Sequence, residues 1–273
     1  MNPLKPDEIL QNIIRSSEIK AEGSFRKLAV LALLAGVYIA FAGVSSNTAA
    51  FNLAGNGDTL GLSRLVSAAV FTAGLIIVVL AGAELFTGNT TMTAALLDRK
   101  ITVAQMLRNW VIVYIFNLAG SVLVAVLVFY SGLFHTGGGA LGAAAVTTAI
   151  AKVSLPFGQA FIRGVLCNWL VCLAVWMTTG ADSTIGKIWA AFFPIMLFVV
   201  AGYEHSVANM YFIPAGILAS SCGDVTSLLA SADLSVLTWK NMFLSNLLPV
   251  TLGNIVGGAV CVAGGYWLAL KEK

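Results

Sequence analysis

Four polar side chains stand within six positions of one apolar stretch: Glu204, His205, Ser206 and Asn209, in the run A-G-Y-E-H-S-V-A-N-M from Ala201 to Met210. An imidazole beside a carboxylate can move a proton, polarise an anion or hold interrupted backbone in place. A charged group at mid-membrane depth costs roughly 2.5–3.5 kcal/mol, so such residues are kept where they face a polar cavity. A second run, 120 residues earlier, repeats the pattern: A-G-A-E-L-F-T-G-N-T-T-M from Ala81 to Met92. Both follow A-G-x-E-x-x-x-x-N, which pairs Glu84 with Glu204 and Asn89 with Asn209.

Each residue has a chemical and a bland reading. His205 has an ordinary pKa near 6.5, so it can exchange a proton close to neutral pH; otherwise it is a structural histidine bonding the broken backbone. Glu84 and Glu204 suit acid–base work or proton relay. Their duplication favours a structural role, accepting hydrogen bonds from backbone N–H groups freed by the interruption. Thr87, Thr90 and Thr91 can donate to an anion or to their own loop. Asn168, in mid-span, can reach His205, a substrate, or a neighbouring helix. Lys152, just before a span, is a solvated charge or an attractor of anions. Phe71, Leu75, Phe86, Val171 and Phe198 are apolar residues near the two runs; as constrictions they would exclude hydrated ions by dewetting. His135 reads as an ordinary exposed loop histidine. Cys167, Cys172 and Cys261 read as buried thiols, Cys222 has no obvious partner, and none has zinc-site spacing. No metal, cofactor or activated nucleophile is expected, so an intramembrane enzyme is disfavoured.

The elements that must position these groups are membrane helices. The 273 residues are 59% hydrophobic and 10% charged, with mean hydropathy +0.91; soluble domains carry about 25% charge. No basic stripe with interleaved aromatics suggests nucleic acid, and the charged start does not suit a cleavable signal peptide. Residues 1–26 predict a cytoplasmic lead-in. It holds a short amphipathic helix, begun at Pro6, that lies on the membrane surface or against a neighbouring subunit. Spans are expected over 27–50, from Leu62 into the first run, 104–131, 157–179, from Ile185 into the second run, and 242–270, with loops at 51–61, 131–156 and 219–240. Residues 271–273 form a tail. Polar residues inside spans 2 and 5 predict half-helix, irregular segment, half-helix. Six spans put both termini on one side, and 11 of the 15 Lys and Arg fall there. The positive-inside rule makes that side cytoplasmic.

The two runs are three spans apart, an odd number, so the second unit enters the membrane upside down. The expected architecture is all-α: six transmembrane helices in an aquaporin-like inverted repeat, about 27–131 and 157–270, with helices 2 and 5 interrupted. Asn117-Leu-Ala-Gly120 and Asn254-Ile-Val-Gly257 occupy comparable places and support it.

Along essentially its whole length the chain resembles the formate/nitrite transporter family. The resemblance is strongest in A-G-A-E-L-F-T-G-N, L-C-N-W-L-V-C-L-A-V-W-M (166–177), G-Y-E-H-S-V-A-N-M and P-V-T-L-G-N-I-V-G-G (249–258). It implies a multi-pass protein of the inner (plasma) membrane, assembled as a homopentamer with a pore in each subunit. The implied cargo is a small monovalent weak-acid anion: formate, nitrite or, in one branch, hydrosulfide, with protons coupled. It implies that His205 is the central pore histidine, Asn168 the asparagine facing it and Thr87 the threonine bonding it. Phe71 and Phe198 would form the outer constriction, and Leu75, Phe86 and Val171 the inner one. Lys152 would be the basic residue of the outer vestibule, and Glu84, Glu204, Asn89 and Asn209 the loop anchors. Tyr203 and the 166–177 run are closer to the nitrite branch; the 249–258 run and the outer loop before it are closer to the formate branch. The expected activity is transport of formate or nitrite, linked to protons through His205. The alternatives are hydrosulfide conduction and an aquaporin-like channel for neutral solutes.

Overall fold

The computed structural model describes residues 4–53 and 57–271. Part of the expected 51–61 loop (54–56) and the end of the tail (272–273) lie outside the described residues. Among those described, every element is helical, and six helices are long and apolar enough to cross a membrane.

The chain opens with α1 (Pro6–Ala21), started by Pro6 and by acidic residues in its first turn. Then come α2 (Phe25–Ala50), α3 (Leu60–Ala81), the short α4 (Phe86–Asn89) and α5 (Thr93–Leu97), and α6 (Val103–Tyr130). The second half repeats the order with α7 (Ala140–Val153), α8 (Phe157–Gly180), α9 (Thr184–Ala201), α10 (Ser206–Ala219), the short α11 (Gly223–Ser227) and a final span, α12 (Trp239–Leu270). Within α12, π turns occupy Met242–Leu247 and Val256–Gly264. Polar residues start the spans: Ser24 and Ser183 accept from backbone N–H groups of α2 and α9, and Thr102 makes a reciprocal capping box with Gln105.

Leu4 N donates to Gly180 O, and Lys271 pairs with Asp98, so both described ends of the chain lie on one face, here the terminal face. Asp98 lies outside the spans, and the Lys271 hydrogen bond holds its carboxyl below the usual carboxylate range.

Three expectations need correction. The 131–156 segment is no mere loop: it holds α7, packed against α10. Three consecutive glycines, Gly137 to Gly139, make the left-handed turn before the helix, and the Ala-rich stretch after them is helix-forming. The 219–240 loop contains α11. The apolar face of α1 is buried in its own chain rather than left for lipid or a neighbour: Ile9, Leu10, Ile13 and Ile14 join the core, and α1 packs on α5 and α8.

The inverted repeat is therefore longer in each half than the spans alone. Helices α1 and α7 correspond. Each carries a lysine as its penultimate residue, Lys20 or Lys152, and each precedes a span that starts with Phe25 or Phe157. In one half α2 packs on α3 and α6; in the other α8 packs on α9 and α12. The two broken units meet where α3 packs on α9.

Both interruptions are made the same way. Gly82 ends α3 at φ +74° and Gly202 ends α9 at φ +72°, the left-handed region that favours glycine. Gly82→Ala and Gly202→Ala should each destabilise the protein by about 1–2 kcal/mol. Matched drops in the melting temperature of the purified protein in detergent are expected; a drop for only one would show that the breaks are not equivalent.

Candidate functional site

The breaks place two sets of side chains against each other. After Gly202 the chain runs extended to His205, which caps α10: the Ala208 N–H donates to His205 Nδ1 at 3.0 Å. Since Nδ1 accepts, the proton of the neutral ring lies on Nε2. That nitrogen is 2.8 Å from Thr87 Oγ1, contributed by α4 of the opposite half. His205 and Thr87 are both buried, and the expected pairing of the two is present.

The backbone at the breaks is held by Asn117 and Asn254. Asn117 Oδ1 accepts the Phe86 N–H (2.9 Å), and its Nδ2 donates to Ala32 O and Glu84 O (2.7 and 3.0 Å). In mirror fashion Asn254 Oδ1 accepts the Ser206 N–H (2.9 Å), and its Nδ2 donates to Gly164 O and Glu204 O (2.8 and 3.0 Å). The Glu84 N–H bonds Leu31 O, and the Glu204 N–H bonds Arg163 O.

The carboxylates thus do something other than receive the freed backbone N–H groups, because the asparagine amides already do so. Glu84 accepts from Asn89 Nδ2 (2.7 Å) and faces Lys20 Nζ at 3.2 Å. Glu204 accepts from Asn209 Nδ2 (2.6 Å), Asn246 Nδ2 (3.3 Å) and Lys152 Nζ (3.0 Å). Each network closes through a further asparagine. Asn89 donates to Asn109, which donates to Lys20 O; Asn209 donates to Asn246, which donates to Lys152 O. Two buried carboxylates are each matched by one ammonium, the arrangement a low-dielectric interior requires.

Lys152 is accordingly no free surface charge. It bonds Glu204, its Nζ lies 5.4 Å from the centroid of Phe212, and its side chain is 15% exposed. Lys20, Asn109, Asn117, Asn246 and Asn254 were not singled out as site residues from the sequence. Asparagines at matching places in spans 3 and 6 were the available signal, and the Asn-x-x-Gly pairs carried part of it.

Asn168 does not bond His205. Its Nδ2 donates to Thr87 O, Thr90 Oγ1 and Asn254 O (3.2, 3.0 and 2.6 Å), so it ties both halves together. Its Oδ1 is buried with no hydrogen-bond partner among the described residues. Thr90 and Cys172 complete this knot, both bonding Thr87 O. A Cβ on Gly258 would collide with Thr90, Asn168 and Cys172 at once. Thr91 bonds Gly88 O of its own loop.

A cavity of about 190 Å³ reaches His205 from the far face, lined by Phe71, Phe198, Phe212, Lys152 and Glu204. It shares Asn47, Ser67, Thr148 and Val199 with a mouth of about 420 Å³. Phe71 and Phe198 meet edge to face at 6.0 Å between centroids, and Phe198 lies 5.9 Å from the His205 ring. From the terminal face a cavity of about 260 Å³, lined by Lys20, Ser17, Leu75, Glu84 and Gly88, approaches the same level. Leu75 lines this cavity. Phe86 is packed on Trp110 and Tyr114, and Val171 is buried in α8. The histidine–threonine bond stands between the two cavities.

Two polar vestibules that converge on one buried polar pair, inside two opposed broken helices, define an integral membrane permeation protein. The sequence model described as Formate/nitrite transporter matches residues 7–268. A "Probable formate transporter" of Methanothermobacter thermautotrophicus is 44% identical, over 94% of this chain and 93% of its own. The "Formate channel FocA" of Escherichia coli K12 is 39% identical, over 89% and 86%. A solved structure, "Pentameric formate channel with formate bound", superposes with TM-score 0.79 at 35% identity, covering 90% of this chain and 97% of that one. The chain belongs to the formate/nitrite transporter family, which is one of channels and transporters rather than enzymes.

Replacing Asn254 by Ala removes the partner of the buried Ser206 N–H and the side-chain donor to Glu204 O, at about 1–3 kcal/mol for each unsatisfied group. Asn254→Ala and Asn117→Ala should both cut folded yield and lower the melting temperature, more than Asn168→Ala does. Equal effects of the three would remove the special role of the first two.

Proposed function

We propose that this chain forms a pore for small monovalent weak-acid anions, with formate as the leading substrate and nitrite and hydrosulfide as the alternatives. The observation that carries the reading is the Thr87–His205 bond, set between two lysine-bearing vestibules and bordered by apolar rings. Formate is favoured over the others because the similar proteins are named for it.

Magnitudes select the form of the mechanism. A bare monovalent ion in a dry apolar passage faces an idealised penalty of tens of kcal/mol. The conjugate acids of formate, nitrite and hydrosulfide are neutral and escape most of it. The positive ends of Lys152 and Lys20 draw the anion into the vestibules, and Phe71, Phe198 and Leu75 strip its water. Phe86 and Val171 complete the inner constriction. A proton delivered near His205 neutralises the anion for the apolar crossing. His205 presents Nε2–H toward Thr87, while a proton arriving at Nδ1 would have to displace the Ala208 N–H. The ring therefore acts chiefly as an oriented donor to the anion, with water supplying the exchangeable proton. Glu84, Glu204, Asn89 and Asn209 fix the geometry of the lysines, and Asn168 fixes that of Thr87.

The terminal face is cytoplasmic under the positive-inside rule, the membrane is the inner (plasma) membrane, and the assembly is a pentamer like that of the solved formate channel. Native mass spectrometry of the detergent-solubilised protein should give five copies; a monomer or trimer as the dominant species would reject the assembly.

Proteoliposomes separate the substrates. Uptake of formate should exceed that of nitrite and hydrosulfide and rise as the external pH falls from 7 to 5, with glycerol flux at background. His205→Phe should abolish the pH-dependent component. Full pH-dependent uptake by that variant, or a glycerol flux above that of formate, would sink the reading.

A further inference from the structure

The far face carries a group of residues that the pore does not use. His135, in the turn between α6 and α7, and Asp224, at the start of α11, are hydrogen-bonded through Nδ1 and Oδ2 at 2.8 Å. Cys222 precedes Asp224 by two positions and supplies a thiol beside them. One ligand atom from each of the three lies within 4.8 Å of the others, and this is the one such histidine–cysteine–acid cluster among the described residues. His135 is therefore not a lone solvated histidine, and Cys222 has partners that its position in sequence hides.

We propose that His135, Cys222 and Asp224 form a binding site for a zinc-class divalent transition metal. Their donors are an imidazole nitrogen, a sulfur and a carboxylate oxygen, the set that such ions take, with water in the fourth position. At ordinary zinc–ligand lengths, tetrahedral donors stand about 3.3–3.6 Å apart. The metal enters by parting the His135–Asp224 pair by about half an ångström and drawing in the Sγ of the buried Cys222, small movements for side chains on two adjoining loops. Binding is balanced by release of the Cys222 thiol proton to solvent, since the thiolate is the ligand. Without a metal the thiol holds its proton firmly: burial and the Asp224 carboxylate both push its pKa up.

The backbone around the cluster is already fixed. The Gly139 N–H bonds His135 O, and a Cβ on Gly139 would press on the Asp224 backbone, so the two loops are in close contact. Cys222 N bonds Ala219 O at the end of α10. A bound ion would join the head of α7 to the end of α10. Those are the helices whose other ends carry Lys152 and His205, and Ala140, at the head of α7, lines the outer mouth of the far-face vestibule.

The test uses the full chain without a polyhistidine tag, in lipid nanodiscs, titrated calorimetrically with zinc chloride. One ion per chain is expected, with release of the Cys222 thiol proton, an affinity that rises between pH 6 and 8, and a zinc-dependent rise in melting temperature. His135→Ala and Cys222→Ser should each weaken binding by about a hundredfold and abolish the thermal shift. His135→Ala removes an exposed side chain and keeps the fold testable even where Cys222→Ser lowers yield. Cadmium should give a thiolate charge-transfer band in the wild type that is lost in Cys222→Ser. Zinc affinity unchanged in His135→Ala, or a cadmium band that survives loss of Cys222, overturns the site. Formate uptake by metal-free His135→Ala should match that of the wild type, which keeps this test separate from that of the pore.

Discussion

A helix that stops inside an apolar slab leaves N–H and C=O groups with no water to receive them, and each one costs free energy. That constraint governs this molecule. Two side-chain amides, Asn117 and Asn254, answer it by bonding the first N–H after each break and two carbonyls beside it. An amide is the natural choice, since it offers an acceptor and two donors in one plane without charge. With the backbone satisfied this way, the carboxylates next to the breaks are released for another use. They hold Lys20 and Lys152, so a cation can sit deep in each vestibule without an unpaired charge.

The inverted architecture was legible because its determinants are local and duplicated. A polar run inside a span, preceded by Ala-Gly, appears twice at odd-span separation, and no other topology reconciles this with six apolar stretches. The histidine and its threonine were also legible, through the same runs and the family resemblance. The position of α7 was not. A Gly-Ala-Thr segment has neither the length of a span nor a charged face, and its helix is secured by packing on α10, a contact more than 50 residues away in sequence. The partners of Glu84 and Glu204 were missed for a similar reason. A duplicated carboxylate announces a duplicated role, but the choice between backbone and lysine donors depends on where α1 and α7 end.

Lys20 shows how much this matters. Read alone, it is the last charge of an amphipathic helix whose natural home is a membrane surface. In the fold, the buried isoleucine face of α1 turns it toward Glu84, and it becomes the counterpart of Lys152. The amphipathic pattern was read correctly as a helix with one apolar face; what it cannot specify is whether lipid or protein covers that face. Cys222 and His135 make the same point on the opposite side of the molecule.

The symmetry is broken where a permeation site would need it to be. At the position of His205 the first half has Leu85, and at that of Ser206 it has Phe86. Only one imidazole therefore enters the centre, and it meets Thr87 rather than its own image. A pair of histidines across a pseudo-two-fold would compete for protons and for space, whereas one imidazole with a hydroxyl partner gives a single oriented donor. The lysine networks differ too. Lys20 bridges both Glu84 and Asn89 Oδ1, at 3.2 and 2.7 Å, while Lys152 bonds Glu204 and leaves Asn209 Oδ1 buried without a partner among the described residues. An ammonium held by two acceptors has less positive field to spare than one held by a single carboxylate and an aromatic face. The two ion pairs, alike in their carboxylate, therefore differ in what else surrounds the ammonium. Two copies of one unit thus become chemically distinct at their centres through a few substitutions around an otherwise preserved frame.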